Sequence, residues 1–147
     1  MKARPLPLLL AAAAGALMAL QGTLNSLLGK TIGLPRATFL VQLTGAAAAS
    51  SLLLLPHQSG GFLAQLSKVP WYAFLGGPIG VAIVFLVAKS IGKTGAGLAT
   101  TSIIVAQLFT AYLIDRFGIL GVARLPFGPV KIVGIILISA GGWLLLK

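Results

Sequence analysis

The sequence of 147 residues contains no cysteine, no glutamate, one aspartate and one histidine. The absence of cysteine excludes a disulfide framework, a cysteine nucleophile and a thiolate metal site. A single acidic side chain excludes catalysis by paired carboxylates, and one Asp with one His cannot supply a nucleophile, a base and an orienting group together. We therefore predict that the protein is not an enzyme and holds no metal or organic cofactor.

Charged residues are also scarce, at 8% of the chain, whereas hydrophobic residues make up 58% and the mean hydropathy is +1.06. Soluble domains are about 25% charged and less than half apolar, so this composition predicts a membrane protein. Lys and Arg dominate the charged residues and give a formal net charge of +10. They flank apolar runs instead of clustering on one face, which favours contact with lipid headgroups and predicts no nucleic-acid partner.

A helix that crosses the hydrocarbon core needs roughly 20 mostly apolar residues. Five runs of about that length, at residues 5–28, 37–55, 69–88, 95–114 and 129–146, contain no Lys, Arg, Asp or Glu apart from Lys131 near the start of the last run. They predict an all-helical fold, with one transmembrane domain over residues 1–147 and five crossings. The first run exceeds the usual 7–15 apolar residues of a secretory signal, so we expect the first helix to be retained.

Five crossings divide the basic residues almost evenly between the two sides of the membrane. One side holds Lys2, Arg4, Lys68, Arg116, Arg124 and Lys131, and the other holds Lys30, Arg36, Lys89, Lys93 and Lys147. Because orientation follows the Lys and Arg excess in short loops, a count of 6 against 5 predicts that the chain inserts both ways and pairs as an antiparallel homodimer. The alternative is one orientation set by local details.

The most informative polar residues within the apolar runs are neutral amides. Gln21 and Asn25 share one face of the first helix, Gln42 lies in the second, and Gln107 lies in the fourth after Thr101. Their side chains either bond neighbouring helices together or line a polar path and bind a solute. We assign these five residues as candidate substrate-binding residues, and neutral amides favour a polar neutral or zwitterionic solute.

Small residues form stripes that allow helix backbones to approach closely. The stripes comprise Gly15, Gly22, Ser26 and Gly29 in the first helix, Gly76 and Gly80 in the third, and Gly134 and Gly141 in the fifth. The segment Gly76, Gly77 and Pro78 differs, because proline removes a backbone hydrogen bond and the two glycines ease bending. We predict a hinge here that lines a cavity.

Asp115 is the single acidic residue, at the end of the fourth run. It is either an interfacial residue neutralised by Arg116 or Arg124, or a group that couples transport to an ion. Ordinary proton-coupled exchangers keep an acid in mid-membrane, and this sequence has none there. Facilitated transport and coupling to another ion therefore stay open beside proton antiport.

Several segments occur in an order that is typical of one family. They are Gln21-Gly-Thr-Leu-Asn25, Pro70-Trp-Tyr, Gly76-Gly-Pro-Ile-Gly80, Gly95-Ala-Gly-Leu-Ala-Thr-Thr, Ala106-Gln107, Leu113-Ile-Asp115-Arg-Phe-Gly118 and a closing helix from Gly134 to Trp143. On these segments the chain resembles the small YdcZ-like proteins of the bacterial drug/metabolite transporter superfamily. The resemblance covers nearly the whole chain.

The resemblance implies a multi-pass protein of the bacterial inner membrane that corresponds to half of a ten-helix inverted-repeat transporter and pairs in inverted orientation. It also implies roles for Gln21, Asn25, Gln107 and Asp115, which match the family's recurring polar positions. The chain is unlike the small multidrug exporters of the superfamily, which have a glutamate in the first helix where this chain has amides. That difference puts export of hydrophobic cations in doubt.

These observations predict a transporter that moves a small polar metabolite by alternating access. Two alternatives stay open: a dual-topology ion channel, in which the same amides form a narrow pore, and a membrane subunit that transports nothing and assembles with another protein. Saturable flux far below channel rates would favour the carrier.

Overall fold

The computed structural model describes residues 5–54, 66–121, 123–125 and 128–145, and Lys2, Arg4 and Lys147 of the charge count lie outside them. Within these ranges the regular secondary structure is all helical, with no strand, which confirms the predicted class. The elements are α1 (Pro5–Ile32), α2 (Leu34–Leu52), a 3-10 helix (Trp71–Leu75), α3 (Gly76–Thr94), α4 (Ala96–Phe117), a second 3-10 helix (Ile119–Gly121) and α5 (Pro129–Leu145).

Three helical segments are long and apolar enough to cross a membrane: Pro5–Ile32, Trp71–Thr94 and Ala96–Phe117. The other two helices are α2, with 19 residues rich in Ala, Ser and Thr, and α5, with 17 apolar residues. The number of crossings therefore stays a prediction. The α3 helix ends later than the predicted span of residues 69–88, and it keeps Lys89 and Lys93 in its last turns.

A single glycine separates α1 from α2 and sets the turn between them. Gly33 has φ +87°, a region that residues with a Cβ rarely adopt. Its N–H donates to the Gly29 carbonyl and its own carbonyl accepts from the Ala37 N–H, both at 3.0 Å. Pro35 in the first turn of α2 fits a position where the backbone N–H has no helical acceptor. These residues end one helix and begin the next without a longer loop.

The chain forms two compact units, residues 1–93 and residues 94–147. In the first unit, a Cβ added at Gly22 of α1 would lie 2.8 Å from both Val87 Cγ1 and Ile91 Cδ1 of α3. Farther along, Ser26 Oγ lies 3.1 Å from the corresponding point at Gly92. Because the residue numbers rise together, α1 and α3 run in the same direction.

In the second unit, α4 and α5 form an antiparallel pair. A Cβ added at Gly142 would lie 2.9 Å from Thr101 Cγ2, near the start of α4. At the other end, Lys131 Nζ lies 5.7 Å from the centre of the Tyr112 ring. Glycine thus permits close approach at one end, and a cation–π contact joins the helices at the other.

Several hydroxyl groups inside the helices are bonded to the backbone of their own helix. Thr23 donates to the Ala19 carbonyl at 2.9 Å, and Thr101 donates to the Gly97 carbonyl at 2.9 Å. Further bonds of this kind are made by Thr31, Thr44, Ser50, Ser51 and Ser102. A hydroxyl that is satisfied in this way can face hydrocarbon without an unpaired donor.

The single chain buries little apolar surface. Among the described residues, the buried hydrophobic ones are Ala37, Ala88, Ile91 and Ala99, and no large side chain is fully buried. Asn25, Ser26 and Thr38 are nevertheless buried, at 7%, 4% and 6% exposure. Small and polar residues therefore form the helix contacts while the large apolar side chains face outward, as in proteins that lipid surrounds.

Candidate functional site

A pocket of about 610 Å³ lies between α2 and α3 in the first unit. Its wall consists of Pro35, Thr38, Phe39 and Gln42 from α2 with Pro78, Val81, Ala82, Phe85 and Leu86 from α3. Ligand pockets typically measure about 300–1,000 Å³ and combine an apolar wall with a few polar groups. This pocket fits that description, since Thr38 and Gln42 supply the polar side chains.

Gln42 occupies the middle of α2, eight residues after the helix begins and ten before it ends. Its Nε2 atom lies 3.8 Å from the point where a Cβ would stand on Gly80 of α3. A Cβ at Gly80 would thus be in ordinary van der Waals contact with the Gln42 amide, so α2 and α3 lie close together beside the pocket. Pro78, two residues earlier, lies on the same wall, so the structure brings one predicted binding residue and one predicted hinge residue together.

The segment from Gly76 to Pro78 lies where the 3-10 helix Trp71–Leu75 changes into α3. Pro78 is the third residue of α3, where its ring disturbs no interior turn of that helix. A Cβ added at Gly76 or Gly77 would meet no atom within 4 Å. The structure thus places the predicted hinge at a change of helix type at the start of α3.

Gln21 and Asn25 line a different surface, a groove of about 450 Å³ along α1 itself. Asn25 is buried, whereas the Gln21 side chain is exposed among exposed leucines. Of the two predicted residues, Asn25 therefore points into the unit and Gln21 points out of it. Neither lines the pocket between α2 and α3.

The remaining candidate residues belong to the second unit. Gln107 is exposed on α4. The Thr101 hydroxyl donates a hydrogen bond to the Gly97 carbonyl, and its methyl group packs against Gly142. The described contacts of Thr101 are therefore those of a packing residue.

Asp115 is half-buried near the end of α4, and its backbone carbonyl accepts a hydrogen bond from the Leu125 N–H at 2.9 Å. Arg124, one of its two predicted partners, donates from Nε to the Phe117 carbonyl at 3.2 Å. These bonds fold the segment after α4 back onto the end of that helix. Within the described ranges, no ion pair to the Asp115 carboxylate is present.

Sequence reasoning missed Thr38, Phe39 and Phe85 of the pocket wall. Thr38 precedes Gln42 by four residues and so lies on the same helix face, a spacing that could have indicated it. Nothing comparable marks Phe39 or Phe85, because only the packing of α2 on α3 brings these rings to one pocket.

Comparison with known proteins gives a consistent result. The model of a family described as "Putative inner membrane exporter, YdcZ" matches residues 6–144. The chain is 30% identical to "Inner membrane protein YdcZ" of Escherichia coli (strain K12) over 112 residues, which are 76% of this chain and 74% of that protein. No solved structure matches the chain. With its long apolar helices, the chain is a multi-pass protein of the inner membrane.

Proposed function

Because this chain belongs to the YdcZ family of inner-membrane exporters, we propose that it moves a small polar metabolite across the membrane by alternating access. The family is one of exporters and not of enzymes. The observation that carries the proposal is the pocket between α2 and α3, which has the volume and the mixed lining of a small-molecule site. In this proposal Gln42 and Thr38 bind the polar part of the solute.

We propose that two copies form the working transporter. Gln21 and Gln107 are exposed amides on helices of membrane length. An amide that faces hydrocarbon without a partner costs several kcal/mol, on the order of 4–8 in transfer to an alkane. A second copy that covers these faces removes that cost, and it brings Gln21, Asn25 and Gln107 to a shared path.

We further propose five crossings per copy and inverted pairing, so that each copy is half of a ten-helix bundle. Since α1 and α3 run in the same direction, a crossing by α2 between them would return the chain to the first side. An odd number of crossings makes a second copy of opposite orientation the inverted half that transporters of this architecture need. Asp115 is retained as a candidate for ion coupling, and Gly76, Gly77 and Pro78 as the hinge.

The transport proposal is tested with purified protein in liposomes loaded with a mixture of amino acids, sugars and nucleosides. Mass spectrometry of the released solutes should show saturable release of one class. Gln42→Leu and Thr38→Val should reduce this release at least about tenfold, because each leaves a polar group of the bound solute unpaired. Thr44→Val is the matched control, since Thr44 is exposed and donates to the Leu40 and Val41 carbonyls.

Other outcomes would contradict the carrier. Unitary currents in planar bilayers that persist in Gln42→Leu would identify an ion channel. If the chain purifies with a stoichiometric partner protein, and neither protein alone supports flux, the chain is a subunit of a larger complex. If Thr38→Val and Thr44→Val reduce solute release equally, the pocket is not the site that binds the transported solute.

Orientation is tested by one cysteine placed after Lys147, in a chain that otherwise contains none. A membrane-impermeant maleimide applied to intact cells should label roughly half of the copies if a near-even charge count permits both orientations. Labelling of all copies, or of none until the cells are permeabilised, would refute inverted pairing of identical chains.

A further inference from the structure

A second pocket in the first unit, of about 240 Å³, lies at the ends of α1 and α3. We call it the lysine pocket, and it is lined by Ser26, Gly29, Lys30, Leu34, Ala88, Lys89, Gly92 and Lys93. Three lysines from two helices therefore surround one small cavity. None of them lines the larger pocket between α2 and α3.

Small residues allow the three lysines to come together. Gly92 has no side chain, and a Cβ there would lie 3.1 Å from Ser26 Oγ and 3.9 Å from Lys30 Cε. The Lys30 side chain of α1 therefore reaches the surface of α3 at Gly92, between Lys89 and Lys93 in sequence. Because Lys89 and Lys93 are four residues apart, they lie on one face of α3.

The charge of the lysine pocket is not balanced by acidic side chains of its own unit. Residues 1–114 contain no Asp and no Glu, so the first unit has no acidic side chain to pair with these lysines. Both α1 and α3 end beside the pocket, and each helix C-terminus carries about −0.5 of an elementary charge. Three ammonium groups against two such ends leave about +2 unbalanced.

Lys89 also contacts the Phe85 ring, with Nζ 5.8 Å from its centre. An aromatic face attracts an ammonium group but carries no net charge, so this contact orients Lys89 without reducing the excess. The pocket volume of about 240 Å³ is several times the roughly 30 Å³ that one water molecule occupies in the liquid. An oxyanion can therefore enter with part of its hydration shell.

We propose that the lysine pocket binds the phosphate group of an anionic ligand, held by Lys30, Lys89 and Lys93. Helices of membrane length end at this pocket, which places it at the boundary between hydrocarbon and water. At that boundary the phosphate belongs either to the headgroup of an anionic phospholipid or to a soluble phosphate compound. The inference does not rest on the proposed transport function.

The test uses the full chain purified in neutral detergent, where orientation in a membrane has no influence. Native mass spectrometry with added phosphatidylglycerol or phosphatidylcholine measures lipid adducts. In a second arm, inorganic phosphate is compared with chloride at equal ionic strength by its effect on the thermal midpoint. Adducts with phosphatidylglycerol alone indicate a lipid headgroup, and a stabilising shift by inorganic phosphate indicates a soluble ligand.

Each lysine near an anionic group should change affinity roughly fivefold, which corresponds to about 1 kcal/mol. The variant Lys30→Gln/Lys89→Gln/Lys93→Gln should therefore bind about 100-fold more weakly. A second variant, Lys93→Arg, keeps the charge and should keep binding. Arg36→Gln is the matched control, because Arg36 follows the same turn but lines a different groove, beside Phe39 and Leu40.

Two results would overturn the proposal. One is that neither phosphatidylglycerol nor inorganic phosphate binds in preference to its control. The other is that Arg36→Gln loses the roughly fivefold in affinity expected for one lysine of the pocket, because general surface charge would then explain the effect. Size-exclusion chromatography and helical circular dichroism establish that each variant is folded before binding is compared.

Discussion

The two units of the chain join their helices in the same way but differ in what else they bury. In residues 1–93, Val87 and Ile91 of α3 pack against Gly22 of α1. In residues 94–147, Thr101 of α4 packs against Gly142 of α5. The first unit buries the polar side chains of Asn25, Ser26 and Thr38 and contains the pocket between α2 and α3 and the lysine pocket, whereas the buried residues in the described part of the second unit are Ala99 and Gly142.

This difference shows that close helix packing and a binding site are separate features of such a chain. Lipid is as apolar as a leucine side chain, so membrane helices associate through close contact at small residues and through polar bonds. In the second unit, this close contact joins the pair of helices α4 and α5. In the first unit, a third helix adds open pockets lined by polar and charged side chains.

The sharpest way to break the comparison is to fill the glycine contact of the first unit. Gly22→Leu should lower the free energy of unfolding by about 2 kcal/mol, because the added atoms meet two branched side chains. Unfolding in mixed detergent micelles, followed by circular dichroism, measures this change. Gly15→Leu is the control, since no atom lies within 4 Å of its position, and equal losses would show that Gly22 does not hold α1 against α3.

The same substitution in the second unit should have a somewhat smaller effect. Gly142→Leu is expected to cost about 1–2 kcal/mol, because one close contact, to the Thr101 methyl group, is added. Thr101→Ser removes that methyl group and keeps the hydroxyl, so the double variant should recover part of the loss. Gly141→Leu serves as the control, and a double variant no more stable than Gly142→Leu would refute the contact.

Pro78→Ala tests whether this residue of the pocket wall also contributes to the stability of the first unit. Since Pro78 lies in the first turn of α3, its replacement should change the free energy of unfolding by less than about 1 kcal/mol. Ala82→Pro, one turn into the same helix, should cost about 3 kcal/mol or more. The same unfolding assay measures both, and a loss in Pro78→Ala as large as that in Ala82→Pro would contradict a first-turn position that disturbs no interior turn of α3.

The smallest expected effect compares one cation–π contact in each unit. Lys131 with Tyr112 and Lys89 with Phe85 have nearly the same separation, 5.7 and 5.8 Å. Double-variant cycles with Lys→Gln and aromatic→Leu should give similar coupling energies of about 0.5–1 kcal/mol. Coupling in only one unit would mean that the surroundings, and not the ring geometry, decide the strength.

The family and the helical class were accessible from sequence because their signals are local or lie in ordered motifs. Apolar length predicts a helix wherever it occurs, and the order of the motifs around Gln21, Gln107 and Asp115 indicated the family that the comparison confirms. The helix contacts were accessible only in part. The predicted stripe of α1 packs at Gly22 but not at Gly15, and in α5 the contact is made by Gly142 instead of Gly141.

The candidate site was less accessible from sequence, because it depends on contacts between residues of different helices. The sequence placed Gln42 in a membrane-length run, but it did not indicate that its amide would lie near Gly80 or that Phe39 and Phe85 share its pocket. Nor did it indicate that Lys30 would lie near Lys89 and Lys93, which are 59 and 63 residues away in the chain. Charge counting assigned these lysines to one side of the membrane and went no further.

By itself, the sequence determined that this protein is a membrane protein and is built of helices, because composition and apolar length suffice for those conclusions. The tertiary structure decided which glycine packs, which amide borders a pocket and which lysines converge. Those outcomes depend on the rotation and register of each helix against its neighbour. Rotation and register are set by contacts between residues far apart in sequence, and no local pattern encodes them.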